Sequence, residues 1–148
     1  MSTVLNEQAA IEAIIGQASV CRLAMLDGDV PYIVPLCFGY HNNILYCHSS
    51  IKSRKLDLIR RHPAVGFEMD ILARPIPAPE PCKWSMRYQS VVGFGKATIV
   101  EDEAEKKAAL ALIMAQYASG TYAFPESKTR ITAVIRVDID RMTGKTNR

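Results

Sequence analysis

Residues 20–48 read Val20-Cys21-Arg22-Leu23-Ala24-Met25-Leu26-Asp27-Gly28-Asp29-Val30-Pro31-Tyr32-Ile33-Val34-Pro35-Leu36-Cys37-Phe38-Gly39-Tyr40-His41-Asn42-Asn43-Ile44-Leu45-Tyr46-Cys47-His48. An apolar run from Val20 to Leu26 meets Asp27-Gly28, a strong hairpin signal, and Val30 to Tyr40 returns as its partner strand. On that second strand Tyr32, Val34, Leu36, Phe38 and Tyr40 share one face. Pro35 interrupts the other, which implies an edge, a bulge, or a backbone approached by something other than a strand. His41-Asn42-Asn43 turns the chain into a third, short strand from Ile44 to His48. Hairpins this early, with no strand–helix alternation, point to an antiparallel sheet.

Outward from this stretch the other elements follow. Upstream, Asn6 is a candidate N-cap, Glu7 lies in the first turn, and Ala10, Ile11, Ile14, Ile15 and Ala18 repeat at helical spacing. Downstream, Ser49 and Ser50 open a segment whose Leu56 and Ile59 share a helical face, and Pro63 ends it. Ala64 to Met69 and Trp84 to Val100 read as strands, the second bending at Gly93 and Gly95. Between them, the prolines of residues 73–82 predict an extended loop, since they disfavour helix and central strand alike. Asp102 and Glu105 resemble a capping box ahead of Leu110, Ile113, Met114 and Tyr117. Ile131 to Ile139 alternates as a final half-exposed strand. Six strands and three helices predict a mainly β protein, an antiparallel barrel with peripheral helices.

Composition agrees with one globular domain: 148 residues, 49% of them hydrophobic and 22% charged, with a mean hydropathy of +0.02. No apolar run reaches the ~20 residues that span a bilayer, and Met1 to Glu7 lacks the features of a secretory signal, so the expected compartment is the cytoplasm. The four cysteines, at 21, 37, 47 and 82, form no Cys-x-x-Cys pair and are expected to be structural thiols. A net charge of +3, with acids interspersed, does not identify a nucleic-acid partner. The positive charge does cluster, however: Lys52, Arg54, Lys55, Arg60, Arg61 and His62 are opposed only by Asp57, which suits a compact anionic group.

Neither metal nor triad chemistry is indicated. Cys47 and His48 are strand neighbours facing opposite ways, and no Gly-x-Ser-x-Gly elbow occurs. The informative stretch is Leu45-Tyr46-Cys47-His48-Ser49-Ser50-Ile51-Lys52-Ser53-Arg54-Lys55-Leu56. A strand ending in hydroxyls and a helix beginning Ser53-Arg54-Lys55 gather free backbone N–H groups, a hydroxyl, a guanidinium and an ammonium, which together suit a phosphate monoester. The same residues also fit a solvated basic helix face.

Several ordered motifs resemble the pyridoxamine-phosphate-oxidase-like, FMN-binding split-barrel superfamily: Val34-Pro35-Leu36, Tyr46-Cys47-His48-Ser49, Arg54-Lys55-Leu56-Asp57-Leu58-Ile59-Arg60-Arg61-His62-Pro63 and Phe67-Glu68-Met69-Asp70. Lys83 to Ala97 further resembles its nitroimidazole-resistance (Nim-type) branch. The resemblance implies a six-stranded split barrel and a homodimer with FMN in a groove between subunits. Ser53, Arg54 and Lys55 would take the phosphate, with Lys52 as a second basic contact. Val34, Pro35 and Leu36 would lie against the isoalloxazine, His48 and Ser49 beside it, and Gln89 and Ser90 would add polar contacts. Ser53 stands where many Nim-type sequences have Gly, and matches the Ser-Arg-Lys order of true pyridoxamine phosphate oxidases. Those enzymes continue into an Arg- and His-bearing segment, whereas this chain stops soon after Ile139, so vitamin B6 oxidation is not expected. Trp84 and Tyr88 are candidates for barrel core, and Phe94 is expected there.

The principal expectation is an FMN-dependent oxidoreductase reducing a small flat acceptor such as a nitroaromatic, with a reduced nicotinamide or another donor, and with His48 as proton donor. A non-catalytic module that stores or senses FMN, and a nucleic-acid-binding barrel using residues 52–62, are the alternatives.

Overall fold

The computed structural model describes residues 1–148. Its strands are β1 (Ser2–Leu5), β2 (Cys21–Asp27), β3 (Val30–Leu36), β4 (Phe38–His41), β5 (Ile44–Ser50), β6 (Ala64–Ile76), β7 (Ser85–Ile99) and β8 (Thr132–Asn147). The helices are α1 (Gln8–Gln17), α2 (Arg54–Arg61), α3 (Glu103–Tyr117) and α4 (Glu126–Thr129), with a 3₁₀ turn at Pro81–Lys83. All strands form one antiparallel sheet in the order β3-β2-β6-β7-β8-β5-β4, with β1 added along β8. The two edges, β3 and β4, are consecutive in the chain and joined at Cys37, so the sheet curls into a barrel that stays split there. A mainly β split barrel is therefore the observed fold.

The expected count of six strands becomes eight for two physical reasons. The strand predicted over Val30 to Tyr40 breaks at Cys37, because its first half pairs with β2 and its second with β5. Ser2–Leu5, to which the sequence pattern assigns no element, is extended because it pairs with Gly144 to Asn147, far away in sequence. That pairing carries extended chain up to the helix, so the α1 cap is Glu7 rather than Asn6 and makes no side-chain bond. The last strand accordingly runs to Asn147 rather than ending at Ile139. β6 continues to Ile76, into the predicted proline loop, along a stretch where it pairs only with β7 and Pro75 has an open edge to face.

The barrel interior is the alternating row that the pattern predicts. Cys21, Leu23 and Met25 of β2, Phe67 and Met69 of β6, Val91 of β7 and Ile135 and Val137 of β8 meet there. Ile11, Ile14 and Ile15 of α1 and Leu56 and Ile59 of α2 pack into the same core. The face of Tyr32, Val34, Leu36, Phe38 and Tyr40 also turns inward to it. Phe94, by contrast, is 48% exposed on the outer face, with Arg141 5.1 Å from its ring centroid, and not in the core. Trp84 is exposed too, its indole N–H donating to the Ala78 carbonyl at 2.8 Å, and Tyr88 is half-buried. Cys21 and Cys47 meet inside, and a thiol hydrogen bond followed by burial pushes the Cys47 thiol well up, which keeps it unreactive.

α3 lies across β4 and β5 over a second cluster that includes Tyr46, Ala109, Leu110, Ile113 and Val134. Asp102 caps it, accepting from the Glu105 N–H at 2.9 Å. The Glu105 carboxylate does not reciprocate; it accepts from Tyr46 Oη at 2.8 Å and from Arg136 at 2.5 Å. At the far end Tyr117 Oη accepts from the buried Phe38 N–H at 3.1 Å and donates to the Ser19 carbonyl at 2.8 Å. Tyr117→Phe is expected to cost ~1–3 kcal/mol, because it leaves that N–H unpaired. Burial, foremost, pushes the Tyr117 hydroxyl up to about 12. A raised folded value means the native state holds its proton longer, so this contribution is intact below about pH 10 and fades as pH rises toward 12. Alkaline denaturation midpoints of the two proteins should therefore converge.

Candidate functional site

β5 ends at Ser50, a tight turn follows, and α2 begins at Arg54 with Ser53 as its cap. The turn is held by the Ser53 N–H on the Ser50 carbonyl at 3.0 Å and the Lys52 N–H on Ser50 Oγ at 3.2 Å. Ser53 Oγ accepts from the Lys55 N–H at 3.4 Å, which leaves its own proton free to donate. Arg54 is ion-paired to Asp27, the last residue of β2, and its guanidinium lies 4.7 Å from the Tyr32 ring centroid. These two partners aim one fork at the mouth between the β2–β3 hairpin and α2. A guanidinium has five donors, so the pair with Asp27 leaves others for a ligand. Ser49 is half-buried and its Oγ donates to the Ser50 carbonyl at 3.2 Å.

Strand alternation sorts the other predicted residues. Val34 and Leu36 are half-buried against the core, whereas Pro35 is exposed on the opposite face of the edge strand β3. Pro31 and Pro35 have the same parity, so a complete ladder to β2 puts their missing donors on the open edge. His48 faces away from Ser49, into a cavity of about 190 Å³ between β5 and the helical side, lined also by Leu110, Ile113, Met114, Phe124 and Lys128. Gln89 and Ser90 stand apart from β3 along the sheet. Val34 stands opposite Leu23, Leu23 opposite Phe67, and Phe67 opposite Gly93; Gln89 lies four residues further along β7, roughly 13 Å, and three strands away from β3.

Two partners of Arg54 were not visible as site residues in the sequence: Asp27 reads there as a turn former and Tyr32 as a strand residue. A third feature is an outer-face cleft of about 420 Å³, whose lining includes Ile33, Val92, Phe94 and a charged triad. Arg22 bonds Glu68 at 2.9 Å and Asp70 at 2.7 Å. Burial, then the hydrogen bond with Asp70, raises the Glu68 carboxyl above its ordinary value despite Arg22. No helix is long and apolar enough to cross a membrane.

A family model described as pyridoxamine 5'-phosphate oxidase matches residues 7–146. Among solved structures, a candidate 5-nitroimidazole antibiotic resistance protein from Bacteroides thetaiotaomicron is 33% identical, covering 98% of this chain and 87% of its own, with a TM-score of 0.87. A flavocytochrome from Azotobacter vinelandii has the same TM-score of 0.87 at 19% identity, over 98% of this chain and 69% of its own. An FAD-binding protein from Mesorhizobium loti has a TM-score of 0.72 at 19% identity, over 100% and 99% of the two chains. A curated relative, the uncharacterized protein RA0666 of Rhizobium meliloti, is 33% identical over 58 residues, 39% of this chain and 38% of that protein.

Proposed function

Because this chain belongs to the pyridoxamine 5'-phosphate oxidase family, we propose that it binds FMN and works as an oxidoreductase on a small flat acceptor such as a nitroaromatic. The observation that carries the reading is the Ser53–Lys55 turn, in which a capping hydroxyl, the free N–H groups of a helix start and a guanidinium held by Asp27 and Tyr32 converge. These residues fit a terminal phosphate, with Lys52 and Lys55 adding charge. A bound flavin supplies the electron transfer itself, with electrons from a reduced nicotinamide or another donor, while the protein supplies orientation and electrostatics. The chain's own part is to hold the phosphate at Ser53 to Lys55, to offer the β3 edge as a wall, and to deliver a proton from the His48 ring to an acceptor oxygen. Likeness to a nitroimidazole-resistance protein supports the choice of acceptor.

Arg54→Ala is expected to lower FMN affinity about tenfold or more, the loss of charge-assisted bonds worth ~1.5–3 kcal/mol each. Fluorescence titration of the apoprotein measures it. A colourless protein that also fails to bind added FMN would sink the proposal.

The proposal includes a homodimer with FMN at the subunit boundary. Its support is the outer apolar face that Ile33, Val92 and Phe94 form, 62%, 43% and 48% exposed. Light scattering at micromolar concentration should return twice the chain mass, and a monomer that keeps FMN would refute it.

A further inference from the structure

The β6, β7 and β8 ladders run on past the barrel as an arm, and the barrel's inner row continues along it. Met69 faces Val91, which faces Gly144; next Ile71, Gln89 and Thr146 line up. Past the irregularity at Leu72, which has φ +59°, and Ala73, Arg74 stands directly opposite Arg87. Residues opposite each other in an antiparallel ladder project from one face, with Cβ atoms about 4.5–5.5 Å apart, and like charges so placed repel. Arg148 follows Asn147, the partner of Tyr88, and so reaches the same level.

No ion pair or side-chain hydrogen bond engages Arg74 or Arg87. Asp70 is on the other face, held by Arg22, and Glu80 is held by Lys83. A cavity of about 260 Å³ opens beside the two guanidinium groups, lined by Leu72, Ala73, Arg74 and Arg87. One row inward, Thr146 is 8% exposed and its Oγ1 is a buried polar atom with no hydrogen-bond partner. An opposed arginine pair without a counter-charge calls for an acceptor-rich anion, and the Thr146 hydroxyl, enclosed one row further in and outside the cavity's lining, is not part of that site.

We infer that this arm face is a second anion site, distinct from the turn at Ser53, and that it takes the phosphate or diphosphate of a small organic ligand. Guanidinium forks match phosphate oxygens in pairs, and a dianion between Arg74 and Arg87 converts their repulsion into two attractions. Two sources share that chemistry: an electron-donating dinucleotide and a phosphorylated acceptor. Only the choice between them rests on the oxidoreductase reading.

The test is calorimetric titration of the purified full chain, with whatever flavin it carries, using pyrophosphate as the first probe. Binding is expected in the native protein, weakened at least tenfold in the double variant Arg74→Gln/Arg87→Gln, with flavin content unchanged by absorbance. Adenosine 2',5'-bisphosphate outcompeting phenyl phosphate identifies a dinucleotide, and the reverse order a phosphorylated acceptor; either supports the site. Equal pyrophosphate affinity in the native protein and the double variant, or no binding in the native protein, overturns it. Loss of flavin from the double variant also overturns it, by assigning the arginines to the flavin site. A flavin-free protein whose arm still binds pyrophosphate would refute the FMN proposal alone.

Discussion

Gly39→Ala is expected to destabilise the protein by about 3 kcal/mol, the upper part of the range for overpacking, and to lower the melting temperature by roughly 10 °C. A Cβ at residue 39 would lie 2.7 Å from both Ile113 N and Leu112 C. Those are backbone atoms of α3, so no rotamer change relieves the clash; the helix itself has to lift from β4. Lifting it loosens Leu110 and Ile113 from the second core cluster and widens the cavity beside His48. Gly16→Ala is the control, because nothing lies within 4 Å of its added Cβ and the residue is in α1. There alanine should stabilise by ~0.5–1 kcal/mol. Thermal melts of the two variants should move in opposite directions.

His48→Ala is expected to slow reoxidation of the bound, reduced flavin by a nitroaromatic roughly 10²-fold, the low end for loss of one acid–base group. Flavin should stay bound, because the proposed phosphate contacts are those of Ser53 to Lys55 and do not include His48. Stopped-flow absorbance of anaerobically reduced protein gives the rate, and the flavin absorbance gives its retention. An unchanged rate would make His48 a structural lining of its cavity, and loss of flavin together with fold would make it a support of the strand end.

Local chemistry was readable from sequence, and distant pairing was not. Asp27-Gly28 predicts the β2–β3 hairpin, and Gly28 is indeed left-handed at φ +66°. Asn42 and Asn43, at +46° and +62°, make the next turn as their residue types suggest. Asp102 caps α3 where the pattern puts it, and Ser53, read as lying within the first turn, is instead the cap of α2. β1 escaped because four residues have no periodicity to read, and only β8 makes them a strand. Phe94 was misplaced because β7 is apolar on both faces: Val91 points in, while Val92 and Phe94 point out. At the site, Ser53, Arg54 and Lys55 were legible from residue type and the helix start. The Asp27–Arg54 pair joins a hairpin to a helix, with no motif linking them.

β8 is bonded to three strands: β5 along Thr132 to Asp138, β7 along Ile135 to Asn147, and β1 along Gly144 to Asn147. During synthesis the ribosome delivers this strand after all of its partners, so β5 and β7 wait with unpaired edges until it emerges. The native ladder thus assembles through contacts far apart in the chain, which places folding in the slow, millisecond-to-second regime of high contact order. The nascent chain is exposed to edge-to-edge association for that interval. The prolines that guard β3 offer no such cover to β5 or β7, whose protection is only the arrival of β8.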